Sequence, residues 1–131
     1  MSRSPITCHV LDSSLGKPVA GVEVRLQQCH PPAFDGGPEI WEPLAKGTTN
    51  SDGRCVDLLS PRGDNDAGNR TPLKAGGLYK IVFKTKEYFQ ETERLSFYPW
   101  VEIPFEVANP DEHYHIPLLI SPYSYTTYRG S

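Results

Sequence analysis

His113 to Ser131, HYHIPLLISPYSYTTYRGS, turns densely apolar and aromatic at the end of a chain that is rich in Gly and Pro elsewhere. Chain ends fray unless something ties them down. Here Tyr114, Ile116, Leu118 and Ile120 alternate with His113, His115, Pro117 and Leu119. That is the period of a half-buried strand whose even residues face a core. Ser121-Pro122 reads as a turn, and Tyr123 to Tyr128 alternates again in β-favouring Tyr and Thr. The pattern predicts a terminal hairpin whose carboxylate is held beside Arg129.

Working outward, the whole chain has 131 residues, enough for a single domain spanning 1–131 with one core. Thirteen prolines and eleven glycines among short β-branched runs imply many turns between short strands, the profile of an all-β sandwich or barrel. No apolar run approaches the roughly 20 residues that span a bilayer, so no membrane partner is expected. The first residues carry no secretory pattern. Cys8, Cys29 and Cys55 are odd in number and lack metal-ligand spacing, which reads as reduced thiols of an intracellular protein. A net charge of −3 with scattered basic residues argues against nucleic acid.

Ile6 to Leu11 is the first predicted strand, with Ile6, Cys8 and Val10 on one face and Thr7, His9 and Leu11 on the other. Cys8 and His9 therefore point apart, which makes Cys8 a buried inert thiol and not half of a nucleophilic pair. Val22, Val24 and Leu26 alternate with Glu23, Arg25 and Gln27 in a second strand. Ile40 to Leu44 is a short strand that Pro43 confines to an edge or a bulge. Asn50-Ser-Asp-Gly is a tight turn from which Arg54 emerges, either as a solvated surface charge or as a site residue. Residues 61–72 form an extended polar loop, and the Arg62-Gly-Asp within it is a chance match. Leu78 to Thr85 is a core strand through Tyr79, Ile81 and Phe83. The segment Thr85 to Glu93 is the one expected helix, with Thr85 as its N-cap. A further strand follows, Val101 to Val107, with its odd residues on one face.

His9 and His115 come from opposite ends of the chain, yet both fall on non-core strand faces. Two imidazoles with an arginine are what metal-free amide hydrolysis needs: a base for water, a donor for the leaving nitrogen, and a fixed cation for the oxyanion. Periodicity alone favours two exposed strand histidines. His113-x-His115 lacks an acidic or cysteine partner for zinc, the Gly-x-Ser-x-Gly elbow of a serine hydrolase is missing, and there is no glycine-rich phosphate loop. No cofactor or metal is expected.

The motifs His9-Val-Leu-Asp, Asn50-Ser-Asp-Gly-Arg54 and Tyr114-His115 followed by Tyr128-Arg129-Gly130-Ser131 resemble, in this order, the signature of the 5-hydroxyisourate hydrolases within the transthyretin-like family. The resemblance covers the chain outside 61–72. It implies a transthyretin-like antiparallel two-sheet β-sandwich with one short helix, assembled as a homotetramer, a dimer of dimers with a channel between the dimers. It also implies hydrolysis of 5-hydroxyisourate at its N1–C6 amide to 2-oxo-4-hydroxy-4-carboxy-5-ureidoimidazoline in urate degradation, in the cytoplasm or the peroxisome. His9, Arg54, His115 and Ser131 would be catalytic, with either histidine as base. Tyr128, Arg129 and Gly130 would join His9, Arg54 and Ser131 in holding substrate. The alternative is a transthyretin-type carrier of aromatic hormones, whose relatives have Lys at the position of His9 and lack the terminal tetrapeptide.

Overall fold

The structure is a computed structural model, and it describes residues 4–59 and 73–131. Its elements run β1 (Ile6–Asp12), β2 (Lys17–Pro18), β3 (Glu23–His30), β4 (Ile40–Thr48), β5 (Arg54–Cys55), β6 (Gly77–Phe83), α1 (Thr85–Glu91), β7 (Val101–Val107), β8 (Tyr114–Ser121) and β9 (Ser124–Thr127). Two sheets form, one ordered β2-β1-β8-β9 with β5 also paired to β1, the other β4-β3-β6-β7. The extended loop expected over 61–72, with Arg62, lies outside the described residues.

Alternation builds the core as the sequence predicts. Ile6, Cys8 and Val10 of β1 and Leu118 and Ile120 of β8 are buried in one cluster with Val24 and Leu26 of β3 and Tyr79, Ile81 and Phe83 of β6. The terminal hairpin is present, with Ser121 opposite Ser124 and Leu118 opposite Thr127. Pairing is antiparallel except between β1 and β8, which run parallel with Thr7 opposite His115. Most of the chain lies between those two strands, which provides the long return that a parallel pair requires. Among the described residues Pro43 sits on β4, the edge strand of its sheet, and the register slips between Leu26 and Gln27 so that Leu44 is the extra residue. A proline is tolerated there because an edge strand leaves one row of backbone donors unused.

At α1 the expected cap fails. Thr85 is not the N-cap of α1: it is the first helical residue, Lys84 stands at the cap, and no side chain caps the helix. Thr85 Oγ1 is buried and finds no partner among the described residues. The helix is held at its other end. Arg94 lies over the Phe89 and Tyr88 rings and donates to Asp12 Oδ2 at 2.7 Å, while the Tyr88 hydroxyl donates to the same oxygen at 2.6 Å. Asp12 Oδ1 accepts from the backbone N–H groups of Ser14 and Leu15 and from the Ser14 hydroxyl.

Asp12 is fully buried at the end of β1. Burial alone would raise its pKa, but the hydrogen bonds from Ser14, Tyr88, Arg94 and Leu15 outweigh it and hold the carboxyl well below the usual carboxylate range. A depressed folded-state pKa means that the stability it contributes is present above the unfolded value near 4 and is lost as pH falls toward the folded one. Asp12→Ala, which leaves the Arg94 cation without its anion, is expected to cost about 3 kcal/mol or more. Thermal melts at neutral pH measure that loss. The gap between wild type and variant should narrow as the pH is taken below about 4; a constant gap would remove the ionised carboxylate from the explanation.

Candidate active site

β1 carries Thr7 and His9 on the face of its sheet turned away from the core, and two neighbours bring further groups to that face. The parallel register sets His115 of β8 opposite Thr7, and the antiparallel register sets Arg54 of β5 opposite His9. Residues from positions 7, 54 and 115 thus meet on one surface.

Arg54 is placed by a tightly bonded turn. Asn50 Oδ1 accepts from the N–H groups of Asp52 at 2.9 Å and Arg54 at 3.0 Å, and Asn50 N–H donates to the Arg54 carbonyl at 2.8 Å. Gly53 closes the turn at a φ of 76°, in the left-handed region. A Cβ there would lie 2.4 Å from the Val10 carbonyl oxygen, so the turn is pressed directly on β1. His9 reinforces it from the side, its Nε2 donating to the Asp52 carbonyl at 2.9 Å. A carbonyl only accepts, so His9 carries its proton on Nε2. Burial, then the neighbouring Arg54 cation, lowers the His9 pKa, and the bond to Asp52 opposes them only in part. His9 is therefore neutral at physiological pH.

His115 is held on both sides. The Thr7 hydroxyl lies 2.8 Å from its Nδ1 and 2.9 Å from Nε2 of His113. On the other flank the tail returns as an isolated bridge, with Gly130 N–H donating to the His115 carbonyl at 2.8 Å. A Cβ on Gly130 would stand 2.6 Å from His115 Cδ2 and 3.1 Å from Pro117 Cγ, so only glycine lets the tail lie this close to the imidazole.

Arg54, His115 and Ser131 line one open concavity of ≈ 220 Å³, together with Thr7, Val56 and His113. His9 stands beside Arg54 in the sheet and is not among the lining residues. Tyr128 and Arg129 point elsewhere: with His115 they line a second hollow of ≈ 270 Å³ against β7. The sequence places the chain's final carboxylate beside Arg129, but its guanidinium instead reaches Glu112 Oε1 at 2.9 Å and lies over the Tyr114 ring. Cys8 is buried on the core face with its thiol pushed up by a hydrogen bond with Cys55 and by burial, as its strand position implies. His30 pairs with Glu42 on the other sheet. The nitrogens of His113 and His115 converge on a hydroxyl, not on each other, and no three metal-binding side chains cluster among the described residues.

Thr7, Val56 and His113 were not foreseen as site residues. The alternation of β1 puts Thr7 on the same face as His9, which was the available signal. What the sequence lacks is the β1–β8 register that sets its hydroxyl between two imidazoles.

Known proteins share both the sequence and the fold. The 5-hydroxyisourate hydrolase of Mus musculus is 41% identical over 128 residues, 98% of this chain and 96% of that protein. The structure of Klebsiella pneumoniae 5-hydroxyisourate hydrolase matches at a TM-score of 0.73 and 31% identity over 100% of both chains. Sea bream transthyretin in complex with thyroxine matches at 0.74 and 29% identity, over 97% of this chain and 95% of that one. The profile of the HIUase/Transthyretin family covers residues 6–130, which take in β1, the Arg54 turn and the tail as far as Gly130, so the chain belongs to that family.

Proposed function

We propose that this chain is a hydrolase that opens 5-hydroxyisourate at its N1–C6 amide to give 2-oxo-4-hydroxy-4-carboxy-5-ureidoimidazoline. The observation that carries this reading is the grouping of Arg54, His115 and Ser131 around one concavity. The hydrolase and the thyroxine-bound transthyretin match the fold almost equally, so the fold does not choose between them. The site does. An imidazole held by a hydroxyl, a guanidinium on a rigid turn and Ser131 on the wall of the concavity suit a polar cyclic amide better than an aromatic hormone.

In the proposed step His115 takes a proton from water as the oxygen bonds to C6, and Arg54 faces the oxyanion that forms. Collapse of the adduct breaks the C6–N1 bond, and the imidazolium returns its proton to N1. Ser131 orients the water. His9, neutral and bound to the Asp52 carbonyl, holds the Arg54 turn and offers its Nδ1 to substrate oxygens or N–H groups through water. Tyr128, Arg129 and Gly130 deliver Ser131 to the site, Gly130 by its bridge to His115.

Among the described residues no helix is long and apolar enough to cross a membrane. The β7 and β9 strands end the orders of their sheets, and Phe97, Tyr123 and Tyr128 are exposed. Free sheet edges and surface aromatics favour association with further copies, and we read the assembly as a homotetramer, a dimer of dimers. Three free cysteines suit an intracellular setting, cytoplasmic or peroxisomal.

The deciding experiment adds the chain to freshly generated 5-hydroxyisourate and follows its ultraviolet decay. Decay faster than the spontaneous rate is expected, in proportion to protein. No acceleration, together with saturable binding of an aromatic hormone, would replace the hydrolase with the carrier.

A further inference from the structure

Arg129 brings a full charge to within two residues of Ser131, yet it does not line the concavity that Ser131 enters. Its guanidinium is turned back toward the start of β8. Nη2 donates to Glu112 Oε1 at 2.9 Å and lies 3.4 Å from the His113 carbonyl, and Cζ stands 4.5 Å from the centre of the Tyr114 ring. Glu112 is held in turn by the loop that carries it. Its N–H donates to the Asn109 carbonyl at 3.1 Å, which also accepts from the Tyr114 hydroxyl at 3.0 Å, and that hydroxyl accepts from the Asn109 N–H at 3.1 Å. The Tyr114 side chain that ties this loop down is buried in the core. One residue beyond Arg129, Gly130 N–H donates to the His115 carbonyl. The tail is thus laid along residues 112 to 115, with a side-chain clamp followed by a backbone bridge.

We infer that Glu112 is a positioning residue for the hydrolysis, acting through Arg129 to dock the tail on β8 and so to place Ser131 on the wall of the concavity. This rests on the reading of Ser131 as the group that orients water. A chain end frays unless it is tied down, and one neutral backbone hydrogen bond is a weak tie. The clamp adds a charge-assisted hydrogen bond and a cation over a ring. Both partners of the ion pair are exposed, so it contributes little to the fold. The equilibrium it biases is a different one, between a docked and a frayed tail, and there a small free energy becomes a severalfold change in population. The bond from Arg129 holds the Glu112 carboxyl below its usual range, so the clamp stays charged wherever a histidine is neutral enough to act as base.

The test is hydrogen exchange at the Gly130 amide, read by NMR in the intact chain beside steady-state kinetics and thermal melts. Glu112→Gln, which keeps the shape and removes the charge, should speed that exchange and lower kcat by about twofold to fivefold, with KM changed less and the melting temperature unmoved. Glu112→Arg, which sets a like charge against Arg129, should carry both effects to about tenfold or more. The two residues act as one unit, so in an Arg129→Gln background Glu112→Gln should change neither exchange nor kcat further. Gly130 exchange indifferent to Glu112→Gln and Glu112→Arg, or an effect of Glu112→Gln that persists undiminished beside Arg129→Gln, would overturn the clamp. So would Arg129→Gln lowering turnover with Gly130 exchange unchanged, since Arg129 would then act on substrate directly. Exchange is measured without turnover. A Gly130 amide that responds to Glu112 in a chain without hydrolase activity keeps the clamp and removes the reaction; turnover with an indifferent amide does the reverse.

Discussion

Replacing Arg54 by lysine is expected to lower kcat/KM for 5-hydroxyisourate by on the order of 100-fold or more while leaving the melting temperature nearly unchanged. The two side chains carry the same charge but not the same geometry. A guanidinium presents a planar fork that meets an oxyanion at two points, whereas an ammonium is a compact point charge on a flexible stem. The structure has already fixed where that fork starts. The turn beneath Arg54 is closed by Asn50 and by Gly53 against β1, and His9 ties it to the same strand, so a lysine there would keep the position and lose the second contact. Arg54 is exposed and no ion pair fixes it among the described residues, so the substitution has little folding energy to remove. Kinetics and thermal melts on the same preparation separate the two effects. Near-wild-type turnover in Arg54→Lys would return Arg54 to the status of a surface charge.

The parts of this molecule legible in the sequence are those set by a local period. Alternation along Ile6 to Leu11, Leu78 to Thr85, Val101 to Val107 and Tyr114 to Ile120 identified strands and core faces that the structure has at Ile6–Asp12, Gly77–Phe83, Val101–Val107 and Tyr114–Ser121, Thr85 falling in α1 instead. Pro43 announced an edge, and Asn50 to Gly53 announced the turn that carries Arg54. Pairing was not legible, because register is decided by contacts between residues far apart in the chain. For that reason the parallel β1–β8 pair, and with it the bridge from Thr7 to His113 and His115, emerged only in three dimensions. Thr85 misled for a smaller reason. Threonine is favoured at an N-cap, but packing buried this one inside the first turn of α1, with Lys84 at the boundary. The tail was legible as a motif, yet not in its division of labour, in which Arg129 is committed to Glu112 and Tyr114 and only Ser131 reaches the concavity.

Deleting Arg129 to Ser131 is expected to abolish turnover while the sandwich remains folded. Upstream of the deletion the hairpin keeps its pairs from Leu118–Thr127 to Ser121–Ser124, and the Thr127 hydroxyl still donates to the Pro117 carbonyl at 2.7 Å. Ile116, Leu118 and Ile120 stay buried on the opposite face, so most of the core packing of β8 is kept. The deletion removes an exposed ion pair to Glu112, which contributes little in water, and the Arg129 cover over Tyr114. It also removes two features of the site at once: the Gly130 bridge that flanks His115, and Ser131 on the wall of the concavity. A displaced base and a missing wall act on the same step, and a misplacement of about 1 Å is enough to cost about 100-fold. The expected result is a circular dichroism spectrum like that of the full chain, with turnover reduced by more than that factor. A Gly130→Ala variant isolates the bridge, because its Cβ would meet His115 Cδ2 at 2.6 Å and must push the tail or the imidazole aside. A polypeptide tag after Ser131 should also harm turnover more than one before Met1. Full activity in the truncated chain would remove the tail from the site, and a lost fold would assign it to the sandwich instead; with both the spectrum retained and the rate lost, the last residues of the chain belong to the chemistry.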